Sequence, residues 1–175
     1  VKTSARLSDE VFGSRQGIGG CALLWKKSIS HLVTPIKIKG TDRLVAVKIK
    51  TSLVDNISLI GMYLPHSTCK ISNFSNEVAI LESTIIENPR SIAMGDTNCA
   101  ISKKYGPRGS EKQGPNSNKF MTAMNRCDME CRDLQSDCLG PCYTYTHSRG
   151  ETYIDHVFVS RDLLYDVYDC QVIPE

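Results

Sequence analysis

The residues of this chain best suited to chemistry lie in Ser91-Ile92-Ala93-Met94-Gly95-Asp96-Thr97-Asn98. Ser91 to Met94 is a short apolar run, preceded by Pro89 and Arg90 and closed by Gly95, which is the pattern of a buried strand entering a tight turn. Asp96 and Asn98 then place an acid and an amide two residues apart where the strand ends. In layered α/β architectures the loops at strand ends carry reactive groups, because the sheet holds them rigidly. An ionised carboxylate there can hold a hard cation or take a proton from water, and an amide two residues on can hydrogen-bond a phosphate or steady that carboxylate. Gly, Asp and Asn are also ordinary turn residues, so the stretch taken alone reads as a turn.

Two other strands offer polar groups at chemically useful places. Ile57 to Leu64 ends at Pro65, which has no N–H for a ladder, so Tyr63 stands near a strand end with a phenol able to reach outward. The plainer reading of Tyr63 is a strand tyrosine packed against its neighbours. The run Thr152 to Ser160 alternates like a strand but is interrupted by Asp155 and His156. Adjacent strand residues face opposite sides, so His156 does not share a site with Asp155 and is packed or solvent-facing. His66 and His147 fall on loops, and nothing in the sequence places them in a cleft. The loop from Ser102 to Asn116 carries Lys103, Lys104, Arg108 and Lys112; it is either simply solvated or laid along a phosphate backbone.

The elements that must position these groups follow from periodicity. Strands are expected over Cys21–Trp25, Leu32–Lys39, Leu44–Lys50 and Ile57–Leu64, with turns at Gly40-Thr41-Asp42 and Asp55-Asn56 joining an antiparallel ribbon. Within Leu44–Lys50, Val45, Val47 and Ile49 share one face. Phe74, Val78, Leu81 and Ile85 recur at helical spacing, giving a helix from Ser72 or Asn73 to about Glu87. Strand, helix and strand in that order imply helices packed on a sheet face. A second helix is expected from Ser117 to Arg132, with Phe120, Met124, Cys127 and Cys131 in phase. Strands are then expected over Cys142–His147 and Thr152–Ser160, with a turn at Arg149-Gly150, a helical turn over Arg161–Tyr165 and a last strand from Val167 to Ile173.

At 175 residues, 41% hydrophobic and 23% charged, the chain has the composition of one globular domain, expected to span 1–175. No apolar run approaches a membrane span and no signal-peptide pattern opens it. A net charge of +2 neither requires nor forbids a nucleic-acid partner; a local basic patch would have to supply the attraction. Val1 and the polar opening VKTSARLSDE suggest a piece of a longer chain. The eight cysteines include Cys127, Cys131, Cys138 and Cys142, spaced C-x3-C, six residues, C-x3-C, which permits a zinc site. Buried reduced thiols are the other account, since Cys127 and Cys131 fall in phase with an apolar helix face.

Taken together, Tyr63-Leu64-Pro65, then Gly95-Asp96-Thr97-Asn98, then Tyr153-Ile154-Asp155-His156, with Gly19-Gly20-Cys21-Ala22-Leu23-Leu24-Trp25 upstream, form an order that resembles the endonuclease/exonuclease/phosphatase superfamily. Tyr143 to His156 is most similar to the endonuclease domain of LINE-type non-LTR retrotransposons, relatives of apurinic endonucleases. The resemblance runs from about Gly17 to the end. It implies an α+β fold, a two-layered β-sandwich flanked by helices, incomplete at both termini. It implies hydrolysis of phosphodiesters in DNA with Mg2+ or Mn2+, in an intracellular compartment (nuclear or cytoplasmic), as part of a longer polyprotein and without a membrane partner. By the same resemblance Asp96 is a metal ligand and activates or positions the attacking water; Asn98 and Tyr63 contact the scissile phosphate; Asp155 orients a catalytic histidine; and Thr144 and Thr152 match hydroxyl positions near the cleft.

Two elements of the pattern do not occur in the sequence. One is a strand ending in Gln-Glu, whose glutamate is the main metal ligand; Glu10 follows no strand and is not a substitute. The other is a terminal Ser-Asp-His, whose histidine pairs with the Asp155 position. The chain by itself is therefore expected to bind metal weakly and to cleave DNA poorly or not at all. Other superfamily phosphoesterases, whether an RNA nuclease or a phosphatase, remain open, as does a binding scaffold that has lost catalysis.

Overall fold

The computed structural model of the chain describes residues 2–3, 6–7, 17–18, 20–51, 56–148 and 150–173. Glu10, and the Asp55 and Arg149 members of the two expected turns, lie outside the described residues. Two short antiparallel ribbons come first: β1 (Lys2–Thr3) pairs with β4 (Ala22–Leu23), and β2 (Arg6–Leu7) with β3 (Gly17–Ile18). The body is a six-stranded mixed sheet in the order β5-β6-β7-β8-β12-β9. Its strands are β5 (Val33–Ile36), β6 (Leu44–Lys50), β7 (Asn56–Tyr63), β8 (Ser91–Asp96), β9 (Met129–Cys131) and β12 (Asp155–Ser160). A separate hairpin joins β10 (Tyr145–His147) to β11 (Gly150–Thr152).

The ribbon expected from the alternating stretches is present: β5, β6 and β7 pair antiparallel. The chain then crosses over through α1 (Ile71–Glu87), so β7 and β8 pair in parallel, the one parallel join among the described ladders of this sheet. The apolar stripe of α1 does what its spacing implies, with Phe74, Val78, Leu81 and Ile85 buried against Leu44, Ala46, Ile60, Met62 and Ala93. Each such side chain contributes on the order of 1.5–3 kcal/mol by leaving water. The second helix, α2 (Ser117–Arg126), packs beside α1 on the same sheet face through Phe120, Met121, Ala123 and Met124. The opposite face carries Val45, Val47 and Gly61, where an added Cβ would meet Leu23 and Cys21; the β1–β4 ribbon therefore covers this side. This helix-flanked mixed sheet agrees with the α+β class expected from the sequence, a two-layered β-sandwich flanked by helices.

Three local expectations change. The second helix stops at Arg126 instead of reaching Arg132, because Asp128 takes a left-handed conformation (φ +53°) and turns the chain into β9. Thr152–Ser160 is not continuous, for β11 ends at Thr152 and β12 begins at Asp155. Val167–Ile173 forms no strand and contributes a single bridge, Leu139 with Gln171. No helix among the described residues is long and apolar enough to cross a membrane.

Candidate functional site

The ladders carry three separated residues into one row. Tyr63 of β7 is the register partner of Asp96 of β8, and Asp96 is the register partner of Asp155 of β12. Partners in register face the same side of a sheet. Met62, Ala93 and Phe158 face the helices, so alternation turns Tyr63, Asp96 and Asp155 to the other face, at one end of three neighbouring inner strands. Tyr63 is 39% exposed, and both acids are half-buried.

Asn98 completes the group from the loop that follows. It adopts φ +50°, a conformation asparagine tolerates better than most residues. Its backbone N–H donates to Asp96 Oδ1 (2.7 Å), and its side-chain Nδ2 donates to Asp96 Oδ2 (3.2 Å) and to the Leu64 carbonyl (2.8 Å). Both carboxylate oxygens are thereby fixed, and each keeps a lone pair for another partner. Behind it, the Thr97 N–H and hydroxyl both donate to the Ile154 carbonyl (2.9 and 2.8 Å), while the Leu64 N–H donates to the Asp96 carbonyl (2.8 Å). The loop is thus stitched to the end of β7 on one side and the start of β12 on the other.

Burial pushes the Asp96 carboxyl above its ordinary range; the Asn98 N–H pulls it back, the Asp155 charge raises it again, and His66 and His156 lower it. The net upward shift means that the folded state binds this proton more tightly than the unfolded chain. An ionised Asp96 therefore costs stability above its folded pKa, and that cost disappears below the unfolded value near pH 4. In a chelating buffer Asp96→Asn is expected to raise the thermal midpoint slightly at pH 7, with the advantage fading as the pH falls toward 4. Paired melting curves across that range check it; an advantage that grows on acidification would reverse the assignment.

Thr144 sits beside the row without being part of it. Its hydroxyl oxygen accepts from the Ile154 and Asp155 N–H groups (3.2 and 3.1 Å), which interrupts the run from Thr152 and starts β12 at Asp155. Thr152 pairs with Tyr145 in the hairpin and accepts the Thr144 N–H on its carbonyl (2.9 Å). Thr144, Tyr143, Tyr145, Asp155 and Val172 line a cleft of about 570 Å³ beside Asp155.

A family model described as the endonuclease/exonuclease/phosphatase family matches residues 3–175. The chain belongs to the endonuclease/exonuclease/phosphatase family. Among solved structures it is similar to the endonuclease domain of TRAS1, a telomere-specific non-LTR retrotransposon, at 18% identity and a TM-score of 0.66, over 93% of this chain and 69% of that one. Two structures of NExo from Neisseria match 69% of this chain and 53% of theirs: a 3′ phosphatase form bound to a product DNA hairpin (12% identity, TM-score 0.48) and the 3′-5′ exonuclease (14%, 0.47). No curated protein sequence matches the chain.

Within this family fold, His156 lies on the helix side, as strand alternation requires. It is 2% exposed; its Nδ1 meets Asp133 Oδ2 at 2.9 Å and its Nε2 meets the Cys99 carbonyl at 3.2 Å. Asp133 also accepts from the Val157 N–H (2.6 Å) and the Cys131 thiol (3.5 Å). Cys131, Asp133 and His156 bring their donor atoms within 4.8 Å of one another, but these atoms already satisfy each other by hydrogen bonds. A thiol and an imidazole also suit a softer metal than Mg2+. This buried strut escaped the sequence reading because Asp133 and Cys99 are remote in the chain; the polar pair interrupting an apolar strand was its only trace.

The other side chains singled out by the sequence disperse. Of the four cysteines with zinc-like spacing, Cys127 donates to the Glu82 carbonyl, Cys131 joins the strut, Cys138 lies 3.7 Å from Cys170, and Cys142 is exposed; all eight are free thiols. Arg108 does not lie open to a phosphate backbone. Its guanidinium donates to the carbonyls of Asp133, Cys138, Gly140 and Pro141 (2.7–3.2 Å). Lys103 pairs with Glu111, and Lys104 lies 4.7 Å from the Tyr105 ring centre. His66, on the loop after Pro65, hydrogen-bonds Thr68 and stands near enough for its charge to act on Asp96. The side chain of His147 lies outside the described residues.

Proposed function

We propose that this chain is a phosphodiesterase dependent on a divalent metal, specifically a DNA-nicking endonuclease domain of retrotransposon type. The observation that carries the reading is the row Tyr63–Asp96–Asp155, with both oxygens of Asp96 clasped by Asn98. Asp96 is the residue that positions the attacking water and receives its proton. Tyr63 presents a hydroxyl donor to the non-bridging phosphate oxygens. Asn98 steadies Asp96; because both of its Nδ2 hydrogens are engaged with Leu64 and Asp96, contact with a phosphate would exchange one of those bonds. Asp155 is the second acid, placed to orient a proton carrier, and Thr144 holds it in position through its N–H. Thr152 supports Thr144 from the hairpin.

The all-oxygen donor set of Asp96 and its neighbour Asp155 suits a hard cation such as Mg2+ or Mn2+, which Asp96 would hold. Such an ion supplies charge stabilisation to the transferring phosphate and the leaving oxygen. The likeness to the TRAS1 endonuclease domain supports the fold on which this reading rests, and DNA is the substrate class proposed with it. A parent polyprotein with a reverse transcriptase follows from the same reading and is tested by the flanking genomic sequence.

The direct test is nicking of supercoiled plasmid with Mg2+ or Mn2+. Slow, metal-dependent nicking is expected, with Asp96→Ala lowering the rate about a hundredfold, the low end for loss of a positioned acid–base group. Nicking unchanged in Asp96→Ala, or no nicking by the wild-type chain, would overturn the assignment.

A further inference from the structure

We infer that Arg43 is a further substrate-binding residue, holding a phosphate of the nucleic-acid strand at the Tyr63 end of the row; this rests on the phosphodiesterase reading above. Leu44 pairs with Met62 in the β6–β7 ladder, so Arg43, just before β6, stands opposite Tyr63, and the row continues as Arg43, Tyr63, Asp96, Asp155. The backbone of Arg43 is pinned on both sides. Its N–H donates to Thr41 Oγ1 (2.9 Å), and its carbonyl accepts from the Tyr63 N–H (3.0 Å) and the Cys21 thiol (3.2 Å). Thr41 in turn donates to Glu77 of α1 (2.5 Å), which roots the turn in the helical layer.

From this fixed base the guanidinium lies over the Tyr63 ring, its Cζ 5.0 Å from the ring centre, with Nη1 donating to the Tyr63 carbonyl (3.3 Å). Stacking on an aromatic face holds a guanidinium in one plane at small cost in side-chain freedom. Among the described residues its other N–H groups have no protein acceptor. The electrostatics make the role specific. Asp96 and Asp155 place two negative groups where a phosphodiester, itself anionic, must approach. Arg43 is the cation of that row, stacked on Tyr63, the register partner of Asp96. A planar fork of donors matches the oxygens of a phosphate better than a point charge does. Of the loop cations that could lie along a phosphate backbone, Lys103, Lys104 and Arg108 are engaged within the protein, whereas Arg43 is stacked on Tyr63 at the end of the row.

The test measures binding of a fluorescent duplex in EDTA by anisotropy, across a salt series. The wild-type chain is expected to bind, with Arg43→Gln weakening binding about tenfold and lowering the slope of log K against log salt by about 0.9, the value for one phosphate contact. Arg43→Lys should keep the slope and recover part of the affinity. Lys119→Gln, on the helical face, should leave both unchanged. Equal affinity and slope in wild-type and Arg43→Gln would overturn the proposal, as would an equal loss in Lys119→Gln or no binding by the wild-type chain. If Arg43→Gln does not fold, the Arg43→Lys comparison decides alone: affinity identical to wild-type overturns the forked contact. A wild-type chain that binds but does not nick refutes the hydrolytic reading while the slopes still decide Arg43.

Discussion

Replacing Asp133 with alanine is expected to cost about 3–5 kcal/mol of stability, since it leaves three buried donors without an acceptor at about 1–3 kcal/mol each. Asp133 is 3% exposed and accepts from His156, from the Val157 N–H and from the Cys131 thiol. Alanine leaves all three donors facing a small void that nothing polar fills. For a chain of this size the thermal midpoint should fall by roughly 6–20 °C. Acid makes the diagnosis specific. Burial alone would raise the Asp133 carboxyl, but the His156 hydrogen bond and charge, with the Val157 N–H, hold it below the ordinary carboxylate range. A lowered pKa stabilises the fold above the unfolded value near pH 4, and the contribution is lost as the pH drops through the folded value. The gap between wild-type and Asp133→Ala should therefore be full at pH 6–7 and shrink below about pH 4. Urea titrations at several pH values measure it; a gap under about 1 kcal/mol at neutral pH would show that the strut bears little of the load. Asp133→Asn, which preserves shape and one acceptor, should lie between the two.

The second large effect is expected at Gly95. It lies in β8 opposite Met62, at φ +138°, a region open essentially to glycine alone. A Cβ built there falls 2.0 Å from the Met62 carbonyl oxygen, a backbone atom fixed in the parallel ladder and unable to swing aside. Gly95→Ala must therefore push β7 from β8 at the register step that sets Tyr63 beside Asp96. A loss beyond about 4–5 kcal/mol is expected, enough to exhaust the stability of many domains. The variant should be recovered unfolded or aggregated, with far-UV circular dichroism lacking the sheet signal. A soluble Gly95→Ala protein melting within a few degrees of wild-type would mean that the ladder has more freedom there than its geometry allows.

The parts of this molecule that the sequence revealed are those governed by local repetition. The alternation of Leu44 to Lys50 marks β6 to the residue, and Phe74, Val78, Leu81 and Ile85 mark the buried stripe of α1. The run into Gly95-Asp96 marks the end of β8. The parts that stayed hidden depend on partners far away in the chain. Cys127 and Cys131 keep helical phase, but the left-handed turn at Asp128 has already ended the helix, and no periodicity reports a single backbone angle. In the sequence the loop of Arg108 is either solvated or laid along a phosphate backbone, and Arg108 does neither. Its acceptors are carbonyls between Asp133 and Pro141, an uncharged set with no signature in the text. Arg43 was passed over because it follows a turn and only the ladder puts it opposite Tyr63. Asp96 and Asn98 read as an acid–amide couple in the sequence, and hydrogen bonds join them in the structure.

The ties that assemble the row span long stretches of chain: Asn98 to Leu64 across 34 positions and Thr97 to Ile154 across 57. Contacts of such separation form late, since each must first close a large loop. During synthesis, then, the ribosome must release β12 before Asp96 has its second neighbour, and a nascent chain halted anywhere short of it carries the acid–amide turn but no assembled pocket. Any cleavage by this protein should begin abruptly with the emergence of that strand rather than build up as the chain lengthens.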